Sequence, residues 1–289
     1  MATYTAKATT SSKASGTTLA TSAFSCIQSS MILTGLGYSD AQGHPTSVLW
    51  GSRLQRNRPA ALTRDPATFD IAMSVWVQPR VRRITSHAMT STWSSGIVEK
   101  AMICGEVYGK NRVDQATGAN FAVATDAPTT GVTGTLSETD SFAVAYFTSE
   151  GPDTNDTIGT MEILNGGVWT SVEGTQRQGT NGAPPVSNVT ITCGWLNLTS
   201  SQATNARLTG ATSRKWACGV VTLKDAFDSL FGVCSADLND MEDIFETAGL
   251  DPENAAFIYN YTLDRAEVYQ STDMATLIAY WNGGAWVTA

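Results

Sequence analysis

The chain has 289 residues, of which 42% are hydrophobic and 15% charged, with a net charge of −8. That length and apolar content exclude a disordered or fibrous chain and allow one large domain or two. The charged fraction lies well below the roughly 25% of average proteins, and Thr, Ser and Gly take its place, as in all-β proteins with a dense neutral surface. No apolar run is long enough to span a bilayer.

Charge is distributed unevenly. Residues 1–224 carry 17 Lys/Arg and 14 Asp/Glu, a net +3, whereas residues 225–289 carry 12 carboxylates against Arg265 alone, a net −11. Such asymmetry marks a surface for association more often than a catalytic pocket. The balanced first part and the acidic total argue against a nucleic-acid partner.

In chain order, residues 1–16 are Thr-, Ser- and Ala-rich and read as a flexible arm, either solvated or ordered against a neighbouring subunit. They contain no apolar h-region, so Sec export is not expected. From residue 18 to 223, period-2 segments bounded by Gly, Pro and Asn recur at 18–27, 30–38, 46–54, 69–78, 82–93, 100–108, 121–125, 142–149, 157–164, 168–175, 189–198, 203–208 and 214–223. The clearest places Phe69, Ile71, Met73, Val75 and Val77 on one face and Asp70, Ala72, Ser74 and Trp76 on the other. Short strands without helical interludes predict a mainly β chain, with a two-sheet antiparallel sandwich over 17–224. Basic clusters fall at Arg53, Arg56, Arg58 and Arg64, and at Arg80, Arg82 and Arg83.

The pattern Ile163-Leu-Asn-Gly-Gly-Val-Trp169 returns as Tyr280-Trp-Asn-Gly-Gly-Ala-Trp286. Asn-Gly between apolar residues is a strong hairpin signal, and independent use of one favourable turn is the simpler reading of the recurrence. Residues 225–289 predict a small acidic α+β module. Ser235 is the N-cap of a helix with the apolar stripe Leu238, Met241, Ile244, Phe245 and Ala248, stopped by Gly249. A second helix start follows at Asp251-Pro252 and runs to about Tyr259. Strand-like sequence at 265–270 and a hairpin at 276–288 complete the module.

Motifs that carry chemistry are few. The stretch from Asp237 to Asp243 fails as a calcium loop because Met241 and Glu242 stand where a ligand and a glycine are needed. Asp153, Asn155 and Asp156 share a loop that reads as a polar turn rather than a weak Ca²⁺ site. His44 and His87 have no triad neighbours, and no nucleophile elbow, P-loop, dinucleotide fingerprint or His-Glu-x-x-His is present. Glu99, Glu106, Glu162 and Glu173 are the candidates for a glycosidase carboxylate pair. Trp50, Trp76, Trp93, Trp169, Trp195, Trp216, Trp281 and Trp286 read mainly as packing, with one or two free to stack on sugar rings. Cys26, Cys104, Cys193, Cys218 and Cys234 are widely spaced and read as small buried hydrophobes of a reducing compartment, without the spacing of a zinc site.

Several stretches in sequence order carry a resemblance: Met31-Ile-Leu-Thr, Pro45-Thr-Ser-Val-Leu-Trp-Gly-Ser-Arg-Leu54, Ile71–Val77 followed by Pro79, Lys100-Ala-Met-Ile-Cys-Gly-Glu-Val-Tyr-Gly109, Val113-Asp-Gln115 and Trp216-Ala-Cys-Gly-Val-Val-Thr-Leu-Lys224. Together, over about 17–224, they resemble a family of jelly-roll sandwich domains common in tailed-bacteriophage virion proteins and found also in some secreted bacterial proteins. The resemblance implies a jelly-roll fold and a structural role on the virion surface, as a decoration, spike or fibre component assembled in the bacterial host cytoplasm. It implies capsid or tail proteins and further copies of the chain as partners. It carries over no catalytic, cofactor-binding or metal residues, so no enzyme activity, cofactor or membrane insertion is expected. A carbohydrate-binding adhesin is the alternative, with a glycan hydrolase behind it.

Overall fold

The computed structural model describes residues 1–27, 30–39, 43–51, 53–54, 56–57, 63–64, 71–81, 86–110, 112–151, 156–180 and 188–224, with 255–260, 265–270, 277–281 and 286–288. For 53–54, 56–57, 63–64, 79–81, 122 and the segments from 255 onward it describes the backbone alone. The chain divides into two compact units, Met1–Ala226 and Phe227–Ala289. The described residues are mainly β and antiparallel, as the sequence predicts, and contain no helix.

The first unit runs β1 (Thr3–Ser12), β2 (Gly16–Ala20), β3 (Ser30–Tyr38), β4 (Ser47–Trp50), β5 (Arg53–Leu54), β6 (Arg56–Asn57), β7 (Thr63–Arg64), β8 (Ala72–Val81), β9 (Met89–Ile97) and β10 (Lys100–Tyr108). It continues with β11 (Arg112–Thr125), β12 (Phe142–Gly151), β13 (Thr160–Asn165), β14 (Val168–Ser171), β15 (Gly174–Gly179), β16 (Asn188–Asn197), β17 (Ala206–Thr209) and β18 (Arg214–Lys224). In place of a single pair of sheets, these strands build four. Sheet 1 is ordered β1-β10-β3-β8-β6, with β7 also on β8; sheet 2 is β2-β9-β4-β5; sheet 3 is β11-β18-β12-β16-β15; sheet 4 is β14-β13-β17.

Three hydrophobic cores show how the sheets stack. Leu33, Val75 and Ile103 of sheet 1 share one core with Tyr146, Ile191 and Val221 of sheet 3. The opposite face of sheet 1, with Ile32, Trp76 and Met102, packs on Val48, Trp50 and Met89 of sheet 2. The opposite face of sheet 3, with Ala145, Phe147 and Trp216, packs on Met161, Ile163 and Leu208 of sheet 4. The layers therefore run 2-1-3-4, and sheets 1 and 3 are covered on both faces. Strict alternation in β8 serves two cores, not a core and a solvent face: Met73, Val75 and Val77 point one way, Ala72 and Trp76 the other.

The seam between sheets 1 and 3 admits large side chains because β3 and β10 carry glycines. A Cβ on Gly35 would lie 2.4 Å from the Tyr146 ring, and one on Gly105 would lie 1.9 Å from Tyr4.

Residues 1–16 are not a free arm. Thr3–Ser12 pairs antiparallel with β10 along its length. Thr-rich alternating sequence suits an edge strand, and the buried side of β1 is anchored by Tyr4, whose ring stacks on Trp195 at 4.1 Å. A register shift between Ala6 and Ala8 marks Lys7 as the extra residue of a β-bulge. The Lys7 Nζ reaches Glu106 Oε2 at 2.6 Å, in a site where the Glu106 side chain is 1% exposed. Ser30 Oγ at 2.5 Å and the Ile27 amide donate to the other carboxylate oxygen.

In the second unit, β19 (Ala255–Asn260), β20 (Arg265–Gln270), β21 (Leu277–Trp281) and β22 (Trp286–Thr288) form one antiparallel sheet in that order. The predicted helix at 235–249 lies outside the described residues. The predicted second helix is corrected at its end: Ala255–Asn260 pairs over six positions with β20, where the Phe257-Ile-Tyr259 run favours strand.

Two stability changes follow. Gly35→Ala forces a methyl into the Tyr146 ring and is expected to destabilise by about 1–3 kcal/mol. Lys7→Ala leaves a buried carboxylate without its cation and is expected to cost about 3–5 kcal/mol. Denaturant midpoints of the two variants against the wild type measure both, and Lys7→Arg should recover much of the second loss.

Candidate functional site

Sheet 4 is the smallest layer among the described residues of the first unit, and its inner face is closed by the core it shares with sheet 3. Its hairpin turns at Gly166 and Gly167, with φ of 60° and 84°, so the two left-handed positions fall one residue later than Asn165-Gly166. Asn165 ends β13 and braces the turn: its side-chain oxygen accepts from the Thr199 amide at 3.1 Å, and its amide donates to Thr199 Oγ1 at 3.2 Å.

Alternation sends Met161 and Ile163 into the core and leaves Glu162 and Leu164 on the outward face. Trp169 lies opposite Leu164, and Arg207 opposite Glu162. The Arg207 Nε donates to Glu162 Oε2 at 2.7 Å, and its guanidinium carbon stands 4.1 Å from the centre of the Trp169 ring. The result is a half-buried indole with a charge-compensated Arg–Glu pair on the outward sheet face. Chemically this is an aromatic–cation platform: the guanidinium lies over one face of the indole, and the ring with the polar groups of the pair forms a pattern that suits a neutral polyhydroxyl ligand.

The other predicted residues have separate partners. Glu99 accepts from Ser39 Oγ at 2.6 Å, just before β10, and Glu106 sits seven positions further on. At about 3.3 Å per residue that separation is roughly 23 Å, far beyond a glycosidase carboxylate pair. Glu173 accepts from the Asn197 amide at 3.0 Å. Asp156 is buried and accepts from Ser149 Oγ at 2.8 Å and Arg214 Nε at 3.2 Å; Asp153 and Asn155 lie outside the described residues. His44 Nδ1 shares a hydrogen bond with the Tyr38 hydroxyl, and the His87 ring meets Trp50 edge-on at 5.8 Å. Among the described residues no group of three or more His, Cys, Asp or Glu could hold a metal ion.

Trp50, Trp76, Trp93 and Trp216 are buried, and Trp195 is half-buried under Tyr4. The side chains of Trp281, Trp286, both Arg clusters and the acidic segment lie outside the described residues. Trp169 was among the sequence candidates for stacking, but Arg207 was not. The Glu162–Arg207 pairing depends on a strand contact across 45 residues, which no local motif announces.

Cys26, Cys104, Cys193 and Cys218 are free thiols, all buried. Burial pushes Cys26, Cys104 and Cys193 up to about 12, with the Glu106 charge adding to the effect on Cys26. Cys218 is raised further, again by burial. No known protein family, curated protein or solved structure matches the chain.

A raised thiol pKa has a signed consequence. Between about pH 9 and 12 the unfolded chain ionises thiols that the folded chain keeps protonated, so stability falls as pH rises, by about 1.4 kcal/mol per pH unit for each such group. The folded protein should resist a thiol-specific reagent at pH 8 at Cys26, Cys104, Cys193 and Cys218, and all four should react in denaturant. Rapid native labelling of any of the four would contradict their burial.

Proposed function

We propose that this chain is a structural surface protein of a tailed phage or phage-like particle, docked on the capsid or tail as a decoration, spike or fibre component. The observation that carries the reading is the stack of four sheets around three cores. Within it Glu99, Glu106, Asp156 and Lys100 are all engaged by internal partners. A body so tied together suits mechanical work, and it fits the resemblance to jelly-roll virion domains carried by stretches such as Pro45–Leu54 and Trp216–Lys224. In this reading the sheet pairs are jelly-roll-like sandwiches and the chain is not catalytic. Residues 225–289, with net −11, form an acidic α+β module that meets basic surfaces of capsid or tail proteins. Copies of the chain associate with one another, and assembly takes place in the host cytoplasm before the protein reaches the virion surface.

Mixing the purified chain with particles that lack it, pelleting them and counting bound copies tests the proposal. Saturable binding is expected, with hundreds of copies for a capsid site and a handful for a tail site. Failure to pellet with particles would overturn the proposal.

One observation favours a second reading, a glycan-binding adhesin: the Trp169–Arg207–Glu162 platform on the outward face of sheet 4. On that reading the wild type binds a neutral polysaccharide of the host surface, and Trp169→Ala weakens binding about tenfold, or about 1.4 kcal/mol. Equal binding by the two proteins would remove the platform from the reading, and no binding by either would remove the reading itself.

A further inference from the structure

Sheets 1 and 2 are built from residues 3–108, and sheets 3 and 4 from residues 112–224. The two halves repeat one topology. In sheet 1 the first strand of the half, β1, pairs with the last, β10, which pairs with β3, then β8, then β6. In sheet 3 the first strand, β11, pairs with the last, β18, which pairs with β12, then β16, then β15. The outer sheets agree as well. The β4–β5 hairpin pairs with β9 as the β13–β14 hairpin pairs with β17. Where β2 lies along β9, the stretch around Thr129 lies along β17, with Thr130 donating to Ala206 and Thr133 to Thr204.

The match extends to single residues. Setting Gly105 on Gly219 aligns Ile103-Cys-Gly-Glu-Val107 with Ala217-Cys-Gly-Val-Val221. The ladders then carry Leu33 onto Tyr146, and Val77 onto Cys193. All six of Leu33, Val77, Ile103, Tyr146, Cys193 and Ala217 lie in the core between sheets 1 and 3. Cys104 and Met102 lie in the core between sheets 1 and 2, and their counterparts Cys218 and Trp216 in the core between sheets 3 and 4. Each half therefore turns the same face to the seam.

A face packed on its own equivalent requires a two-fold relation, in which every contact appears twice with the roles exchanged. The seam contacts of the central strands obey this rule, and at the edge β7 stands where β6 would be expected. β3 meets β16 and β12 meets β8; β10 meets β16 and β18 meets β8; β1 meets β15 and β11 meets β7, the strand next to β6 on β8; β3 and β12 meet each other. We infer that the seam face is a self-complementary interaction surface whose fitting partner is a second copy of the same sandwich. The other half of the chain supplies that copy, and the first unit is a dimer fused between β10 and β11.

The relation can be tested in the full-length chain by exchanging residues across the axis. Tyr146 fits against Gly35; the two-fold relation makes Leu33 and Thr148 their counterparts. The full exchange L33Y/G35T/Y146L/T148G keeps the volume of the seam and is expected to melt within about 5 °C of the wild type. The half exchanges L33Y/G35T, which sets Tyr against Thr at both equivalent contacts, and Y146L/T148G, which sets Leu against Gly at both, overfill and underfill it and are expected to melt about 5–10 °C lower. A full exchange no more stable than the half exchanges, or one that does not fold, would overturn the inference. An experimental structure of the intact wild-type chain gives a second measurement. Superposing β3, β8 and β10 on β12, β16 and β18 should need a rotation of about 180°, and a rotation far from that value would equally refute it.

Discussion

Covering both faces of sheets 1 and 3 is the constraint on which the rest of the first unit depends. A central strand there, such as β3, β10 or β12, has almost no solvent side, so its polar side chains must find their partners inside the protein. Glu106 shows the cost and the remedy. A one-residue bulge at Lys7 turns an ammonium toward its carboxylate, and Ser30 and Ile27 complete its shell. Lys100 is solved the other way: its ammonium donates to the Ala14 and Ile97 carbonyls at 2.8 and 2.7 Å, and burial lowers its pKa despite Glu99 nearby. Thr148, Thr190 and Thr192 answer to the same rule on sheet 3: the Thr148 and Thr192 hydroxyls donate across the ladder to the Thr190 and Gln176 carbonyls, and the Thr190 hydroxyl accepts from the Asp156 amide. The abundance of Thr is thus a structural solution as much as a surface property.

The same constraint explains how much of the fold could be read from the sequence. Strands at 30–38 and 100–108 were placed to the residue, because dense apolar runs between turns identify a strand whichever way it faces. The number of layers was not legible. Alternation along 69–78 looks like one buried and one exposed face, and only the tertiary structure shows that Ala72 and Trp76 enter a second core. β1 and the first part of β11 were missed because their sequences, Thr-rich in one and Asp-Gln-Ala-Thr-Gly in the other, lack apolar periodicity; pairing with β10 and β18 holds them in place. The repeat of the fold was hidden for a related reason. Its halves agree in which core a position faces, while the residues differ: Leu33 against Tyr146, Met102 against Trp216.

The candidate site was legible only in its residue types. An eight-tryptophan chain invites the idea of a stacking surface, yet burial removes four of them and Tyr4 covers a fifth. Trp169 is singled out by Arg207, which arrives from a strand far along the chain. The positions of sheet 2 that correspond to Glu162 and Arg207 are Ser47 and Thr92, which are paired with each other in the same way. The two outward faces thus share a frame and differ in chemistry.

The ladder between β1 and β10 also sets an order of events. Thr3 pairs with Tyr108, so the first sandwich cannot close during synthesis until about a hundred further residues have left the ribosome, a wait of roughly 5–20 s at ordinary elongation rates. The second sandwich repeats the delay, since Arg112 pairs with Lys224. Throughout each interval an opening strand exists with no neighbour to bond. Thr, Ser and Ala in β1, and Asp, Gln, Thr and Gly in the first part of β11, keep those waiting segments poor templates for strands of other nascent chains. The low hydrophobicity of β1 guards the first sandwich during translation, before its sheet exists.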